Sequence, residues 1–219
     1  MEPEELPGLE RLLGVCQRLN LGLKTSPPAH APMSAGSLLE GVPFDPVLAK
    51  VYARLGHAVF ATQMMRWVLT RFDDHENRLE ENNRWWREQY WNKLGMPVIV
   101  FGGDVYSFAT VPDLADGRGR QPVVMLDIYE YEPDVMPVAS DVDRFFETLA
   151  RYLEALVALP RYQKYGETEF SFPWDAVELL ARDERLVEMM RAGRFEPLMK
   201  NADEETRGWA AKVMGAPGT

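Results

Sequence analysis

The chain predicts an α+β fold: a mixed, largely antiparallel sheet flanked by helices, with a helical C-terminal extension. Three observations carry this. Two apolar runs of β character, 98–101 and 122–129, lie either side of a Gly-rich, acidic connection. A strongly amphipathic helix follows, with Val142, Phe145, Phe146, Leu149, Tyr152 and Leu153 on one face. Beyond Pro160 the pattern changes to a polar and aromatic connection and then to helical stretches at 174–192 and 204–214. The expected division is a sheet domain over 1–159 and an extension over 160–219 packed on it.

The elements follow in order. Leu9, Leu12, Leu13, Cys16 and Leu19 repeat at helical spacing after Pro7 and Gly8, predicting a helix near 7–20. Residues 21–43 are rich in Pro, Ser, Ala and Gly and read as a loop or irregular cover. Asp45 can cap a second helix, with Pro46 at its first position and Gly56 after its last turn. The apolar stretch from Val59 to Phe72 fits either a strand or a helix. Between 73 and 95 the chain is polar but carries Trp85, Trp86, Tyr90 and Trp91, with Trp86 and Tyr90 one helical turn apart. Those rings either lie over the edge of the sheet or form a binding lip.

Gly102-Gly103 after Val98-Ile99-Val100-Phe101 signals a hairpin turn, or equally a bulge, before the strand 105–111. Residues 113–120, with two glycines, read as an exposed loop, and 123–129 returns to the sheet. Ser140 is the expected cap of the long helix, and Asp141 and Asp143 favour the positive end of its dipole.

Composition narrows the function. Thirty-four acidic against 24 basic residues give a formal charge of -10, which argues against a nucleic-acid partner, since phosphate backbones need Lys and Arg clusters. The same charge suits a basic protein partner. Cys16 is the one cysteine, so no intrachain disulfide forms, and the chain opens Met-Glu-Pro-Glu-Glu, unlike a basic signal segment. No run is long enough for a membrane span. A cytoplasmic location is the expectation, with no membrane contact.

No catalytic constellation emerges. His30, His57 and His75 are far apart and lack ligand-spaced partners, so no metal site is expected. There is no Gly-x-Ser-x-Gly elbow, and Gly102-Gly103-Asp104 lacks the Lys-Ser/Thr of a phosphate loop. Cys16 sits on an apolar stripe, where a thiol is inert packing. No cofactor is expected. The candidate surface is instead acidic and aromatic: Asp127, Tyr129, Glu130, Tyr131, Glu132 and Asp134, with Asp104 in the glycine turn and Trp86 and Tyr90 nearby. In a strand, Tyr129 and Tyr131 share one face and Glu130 and Glu132 the other. Such residues either anchor an interface or edge the sheet in solvent.

The order of these motifs resembles the SUKH superfamily, the Smi/Knr-like proteins. The resemblance rests on Leu9-Glu10-Arg11-Leu12-Leu13, on Pro97-Val98-Ile99-Val100-Phe101-Gly102-Gly103-Asp104-Val105-Tyr106-Ser107-Phe108, and on Ala139-Ser140-Asp141-Val142-Asp143-Arg144-Phe145-Phe146-Glu147. It is best over 96–157, weaker over 1–60, and does not cover the tail; the Pro-rich 21–43 and Trp-rich 84–91 segments depart from it. It implies binding rather than catalysis, as in bacterial immunity proteins that neutralise a cognate toxin, often a nuclease, by direct contact. The alternatives are a regulatory scaffold in a multi-protein complex, or a small-molecule sensor or enzyme using 73–91 and 127–134.

Overall fold

The computed structural model describes residues 6–31, 33–62, 65–71, 78–128 and 133–215. Its order is α1 (Pro7–Arg18), β1 (Lys24–Ser26), β2 (Leu38–Leu39), β3 (Val42–Pro43), α2 (Pro46–Arg54), β4 (His57–Ala61), β5 (Arg66–Leu69), α3 (Arg78–Gln89), α4 (Trp91–Leu94), β6 (Ile99–Gly103), β7 (Ser107–Thr110), β8 (Val123–Asp127), β9 (Asp134–Ala139), α5 (Val142–Ala158), α6 (Pro160–Tyr165), α7 (Val177–Leu180), α8 (Glu184–Arg191) and α9 (Glu204–Gly215). Seven strands form one sheet in the order β1-β4-β5-β6-β7-β8-β9, with β2-β3 a separate ribbon. This is the predicted α+β architecture, and every described pairing is antiparallel.

The described residues of the ambiguous 59–72 stretch fall in strands β4 and β5 and their flanks. Alternation decides it: Ala58, Phe60, Trp67 and Leu69 are buried while their neighbours are less so. Trp67 lies at the centre of an aromatic core, stacked on Phe60 at 5.6 Å and edge-on to Phe146 of α5 at 5.9 Å. Helix α5 covers this face of the sheet, and α1 lies along α5. Arg11 and Arg18 of α1 both reach Glu154 of α5, at 2.7 and 2.6 Å.

The double glycine serves a bulge and a turn together. Register slips between Val100 and Gly102, leaving Phe101 as the extra residue. A side chain at Gly102 would collide with the Trp67 ring. Gly103 has φ +136 and a side chain there would strike the Tyr106 carbonyl, so only glycine closes this turn. Strand β5 pairs with β6 at Gly102 and Gly103, and just past β5 the Thr70 N–H donates to the Phe101 carbonyl at 2.9 Å. Farther along β6 the buried Asn83 of α3 takes the place of a neighbouring strand, accepting from Val100 N at 2.7 Å and donating to Val100 O at 2.8 Å. Nothing in the sequence pattern marks Asn83 for this.

Two helix assignments are corrected. Asp141, not Ser140, caps α5, accepting from Arg144 N at 2.9 Å. The backbone N–H of Ser140 is held by Asp183 at 2.7 Å. The stretch 174–192 is not one helix. Asp183 accepts from Leu186 N and starts α8 afresh, separating it from α7. Strand β9, which overlaps the expected acidic edge only at Asp134, is an element not predicted from the sequence. The extension beyond Pro160 buries Phe172, Leu180, Leu186, Phe195 and Trp209 in a hydrophobic cluster continuous with the sheet core. Among the described residues, no helix is long and apolar enough to cross a membrane.

Candidate functional site

One groove stands out, of about 610 Å³. One wall comes from the start of β5 and the β6–β7 turn, with Arg66, Asp104, Val105 and Tyr106. The other comes from the extension, with Ser171, Trp174, Asp175 and Glu205, and Trp67, Phe108, Tyr152 and Phe172 line the remainder. The extension is therefore more than an appendage, because it supplies one wall of the groove.

The lining is aromatic below and acidic above. The Tyr106 and Trp174 rings lie against one another in the lining, tilted, with centroids 5.2 Å apart. Tyr152 stacks on Phe170 at 5.3 Å and donates to its carbonyl at 3.1 Å. Burial pushes the Tyr152 phenol up to about 12, and the nearby Asp175 charge adds to this, so it is a neutral donor at physiological pH. Trp67 is 2% exposed, and its indole N–H has no hydrogen-bond partner among the described residues. At the mouth, Asp104 accepts from Arg66 at 2.7 Å, and both side chains are partly exposed. Asp175 is held by Ser171, whose backbone N–H and hydroxyl both donate to Oδ2, at 2.9 and 3.1 Å. The lining thus carries three carboxylates, Asp104, Asp175 and Glu205, and one guanidinium, that of Arg66. Val105 forms an apolar lip, 58% exposed.

None of the described lining residues is a histidine or cysteine. The Ser171 hydroxyl donates to a carboxylate rather than to an imidazole, which is not the arrangement of an activated nucleophile. His57 bonds the Leu69 carbonyl from within β4. Among the described residues no group of His, Cys, Asp or Glu is placed to hold a metal ion. Burial raises the Cys16 thiol to about 11, so it stays a thiol.

The sequence-predicted surface is dispersed. Asp104 is in the groove. Asp127 and Asp134 oppose one another across β8 and β9, but Asp134 accepts from the Thr206 hydroxyl at 2.6 Å and so fastens α9. Tyr129, Glu130, Tyr131 and Glu132 lie outside the described residues, as do Asp73 and His75. Trp86 does meet Tyr90, at 4.7 Å, but it is 2% exposed. It is corrected from candidate contact to core, because α3 turns that face onto β6 through the Asn83 bonds. The exposed ring there is Trp85, at 44%, while Tyr90 is half-buried under Lys93. Sequence reasoning missed Arg66, Tyr106, Trp174, Asp175 and Glu205 as site residues. The signal for part of it was present: aromatic residues recur at 170, 172 and 174 in an otherwise polar connection.

A second polar cluster lies at the opposite end of the strands. Asp45 is fully buried, accepting from Leu48 N and Gln121 N, both at 2.7 Å. Asp143, in the first turn of α5, accepts from Gly8 N and Leu9 N at the start of α1. Asp183 holds both α8 and Ser140. Burial would raise Asp116, but bonds from the Arg120 and Arg118 backbone and from the Arg185 and Arg120 guanidinium groups hold it well below its usual range. Each carboxylate here is engaged by donors of the chain itself.

Comparison with protein-family models, with curated proteins and with solved structures gives no significant match in any of the three.

Proposed function

We propose that this chain is a non-catalytic protein-binding module that docks a basic partner in the groove between the β6–β7 turn and the C-terminal extension. The observation that carries this is the groove itself: an aromatic lining, an exposed apolar lip and three carboxylates against one guanidinium. Aromatic rings in a concave site bind with little loss of side-chain entropy, and surplus negative charge steers a basic partner towards it. The net charge of -10 acts in the same direction. The SUKH-like motif order adds the class of partner. On that resemblance the partner is a toxin domain, such as a nuclease, which the chain neutralises by direct contact in the cytoplasm. A regulatory scaffold would use the same surface, and the partner's identity separates the two.

The test is co-purification of the tagged native chain and of a Tyr106→Ala/Trp174→Ala variant, with stoichiometry from native mass spectrometry. The expected result is one stoichiometric basic partner on the native chain, lost from the variant while its melting temperature holds. Inhibition of that partner's toxic activity by the native chain alone supports the immunity reading. Equal retention of the partner by the variant overturns the groove as the docking surface.

A further inference from the structure

The ion pair at the groove mouth points to how the partner is recognised. Arg66 lies on the groove wall and reaches Asp104 at 2.7 Å, with side-chain exposures of 53% and 36%. An exposed pair of this kind is weakly held and readily exchanged. Asp175 and Glu205 stand on the opposite wall, both exposed, and Glu205 lies in the first turn of α9. The Tyr106 and Trp174 rings, one from each wall and in contact with one another, complete the lining. A planar cation on an aliphatic stem fits this arrangement: the stem and the flat guanidinium lie on aromatic faces while the fork meets carboxylates. The turn that carries Asp104 is fixed beforehand by Gly103 and by the Asp104 N–H to the Tyr106 carbonyl at 3.1 Å.

We propose that the groove is a receptor for an arginine side chain on an extended basic segment of the partner, and that this incoming guanidinium displaces Arg66 from Asp104. Arg66 is then an internal stand-in that occupies the carboxylate until the partner arrives. This rests on the docking reading above and deepens it. The two members of one ion pair therefore have opposite effects. Arg66→Ala removes a competitor and strengthens binding. Asp104→Asn removes the acceptor and weakens it.

The experiment titrates the full chain with a capped Gly-Arg-Gly-Arg-Gly peptide and with its citrulline counterpart, which keeps the shape and loses the charge. Indole N–H resonances of the isotope-labelled protein report occupancy. The arginine peptide is expected to shift the Trp174 signal and to bind roughly three- to tenfold more tightly than the citrulline peptide. Arg66→Ala is expected to tighten it by roughly two- to fivefold, and Asp104→Asn to loosen it by a similar factor. Weakening by both variants would show that the pair merely shapes the lip, and overturns the exchange. Equal affinity for the two peptides overturns the arginine receptor, as does absence of any shift at millimolar arginine peptide. Neither result touches the docking reading, which stands or falls on whether Tyr106→Ala/Trp174→Ala releases the native partner.

Discussion

The same side chain does opposite work at the two ends of the β7–β9 strands. At the α5 N-terminal end, Asp45 and Asp183 are buried and Asp143 is half-buried, and all three are filled by backbone N–H groups. At the groove end, Asp104 and Asp175 are exposed, and each is engaged by one nearby side chain or residue. Saturation by the chain's own donors marks a carboxylate that holds the fold together. Exposure beside aromatic rings marks one that is available to a partner. Charge alone distinguishes neither, since both ends are acidic.

Both ends hang on the aromatic core between them, and the largest expected effect is there. Phe146 packs edge-on to Trp67 and Phe101 and against Phe145. Phe146→Ala should cost about 3–5 kcal/mol in chemical denaturation, and a near-neutral change would contradict this account of the α5 face. At the clamped end, Asp45→Ala strands two N–H groups and removes the α2 cap. It should cost roughly 2–4 kcal/mol by the same measurement. A loss below about 1 kcal/mol would mean that water replaces the carboxylate there, and the contrast between the ends would weaken.

The clamped end should also make stability depend on pH. Burial pushes the Asp45 carboxyl from its ordinary 3.8 up to about 7, against the pull of N–H groups from Leu48, Gln121 and Val47, with the Asp141 charge raising it further. Burial likewise raises Asp143 and Asp183. The folded state then keeps a proton that the unfolded chain releases. For Asp45 the contribution is complete below pH about 4 and is lost as pH rises through about 7, at up to about 1.4 kcal/mol per pH unit. Asp116 and Glu147 are lowered, Glu147 chiefly by its bond from Arg151, and so act with the opposite sign, only in acid below the ordinary carboxylate range. Urea midpoints should fall from pH 5 to pH 8, and Asp45→Asn should flatten the fall. A flat native profile would mean that the N–H donors outweigh burial and Asp45 is charged.

This contrast sets what could be read from the sequence. Helices α1, α2 and α5 were legible because their apolar stripes and the Asp45-Pro46 start are local signals. The β6–β7 hairpin was legible because Gly102 and Gly103 have a backbone reason to be there. Ser140 is the cap that local pattern suggests for α5, but Ser140 is engaged through tertiary structure, its N–H taken by Asp183 43 residues away, and Asp141 caps instead. Asn83 was invisible for the same reason, since its partner is a strand backbone 17 residues on. Of the groove, only Asp104 was legible, because it sits in a recognisable turn. Trp174, Asp175 and Glu205 reach it through the fold of the extension, and no periodicity encodes that meeting.

The smallest expected effect on stability is the most telling about function. Asp104→Asn removes an exposed partner of Arg66, and exposed ion pairs contribute about 0–1 kcal/mol. Its denaturation midpoint should therefore stay within about 0.5 kcal/mol of the native value. Its association with a basic partner should nevertheless slow, and the rate should become less sensitive to salt, because the field at the groove mouth is reduced. Stopped-flow association across a salt series reads both. The pairing of outcomes carries the argument: at the clamped end a lost carboxylate shows in folding, at the groove end it shows in encounter. An Asp104→Asn protein destabilised like Asp45→Ala, yet associating at the native rate, would place Asp104 among the structural carboxylates and leave the groove without its charge.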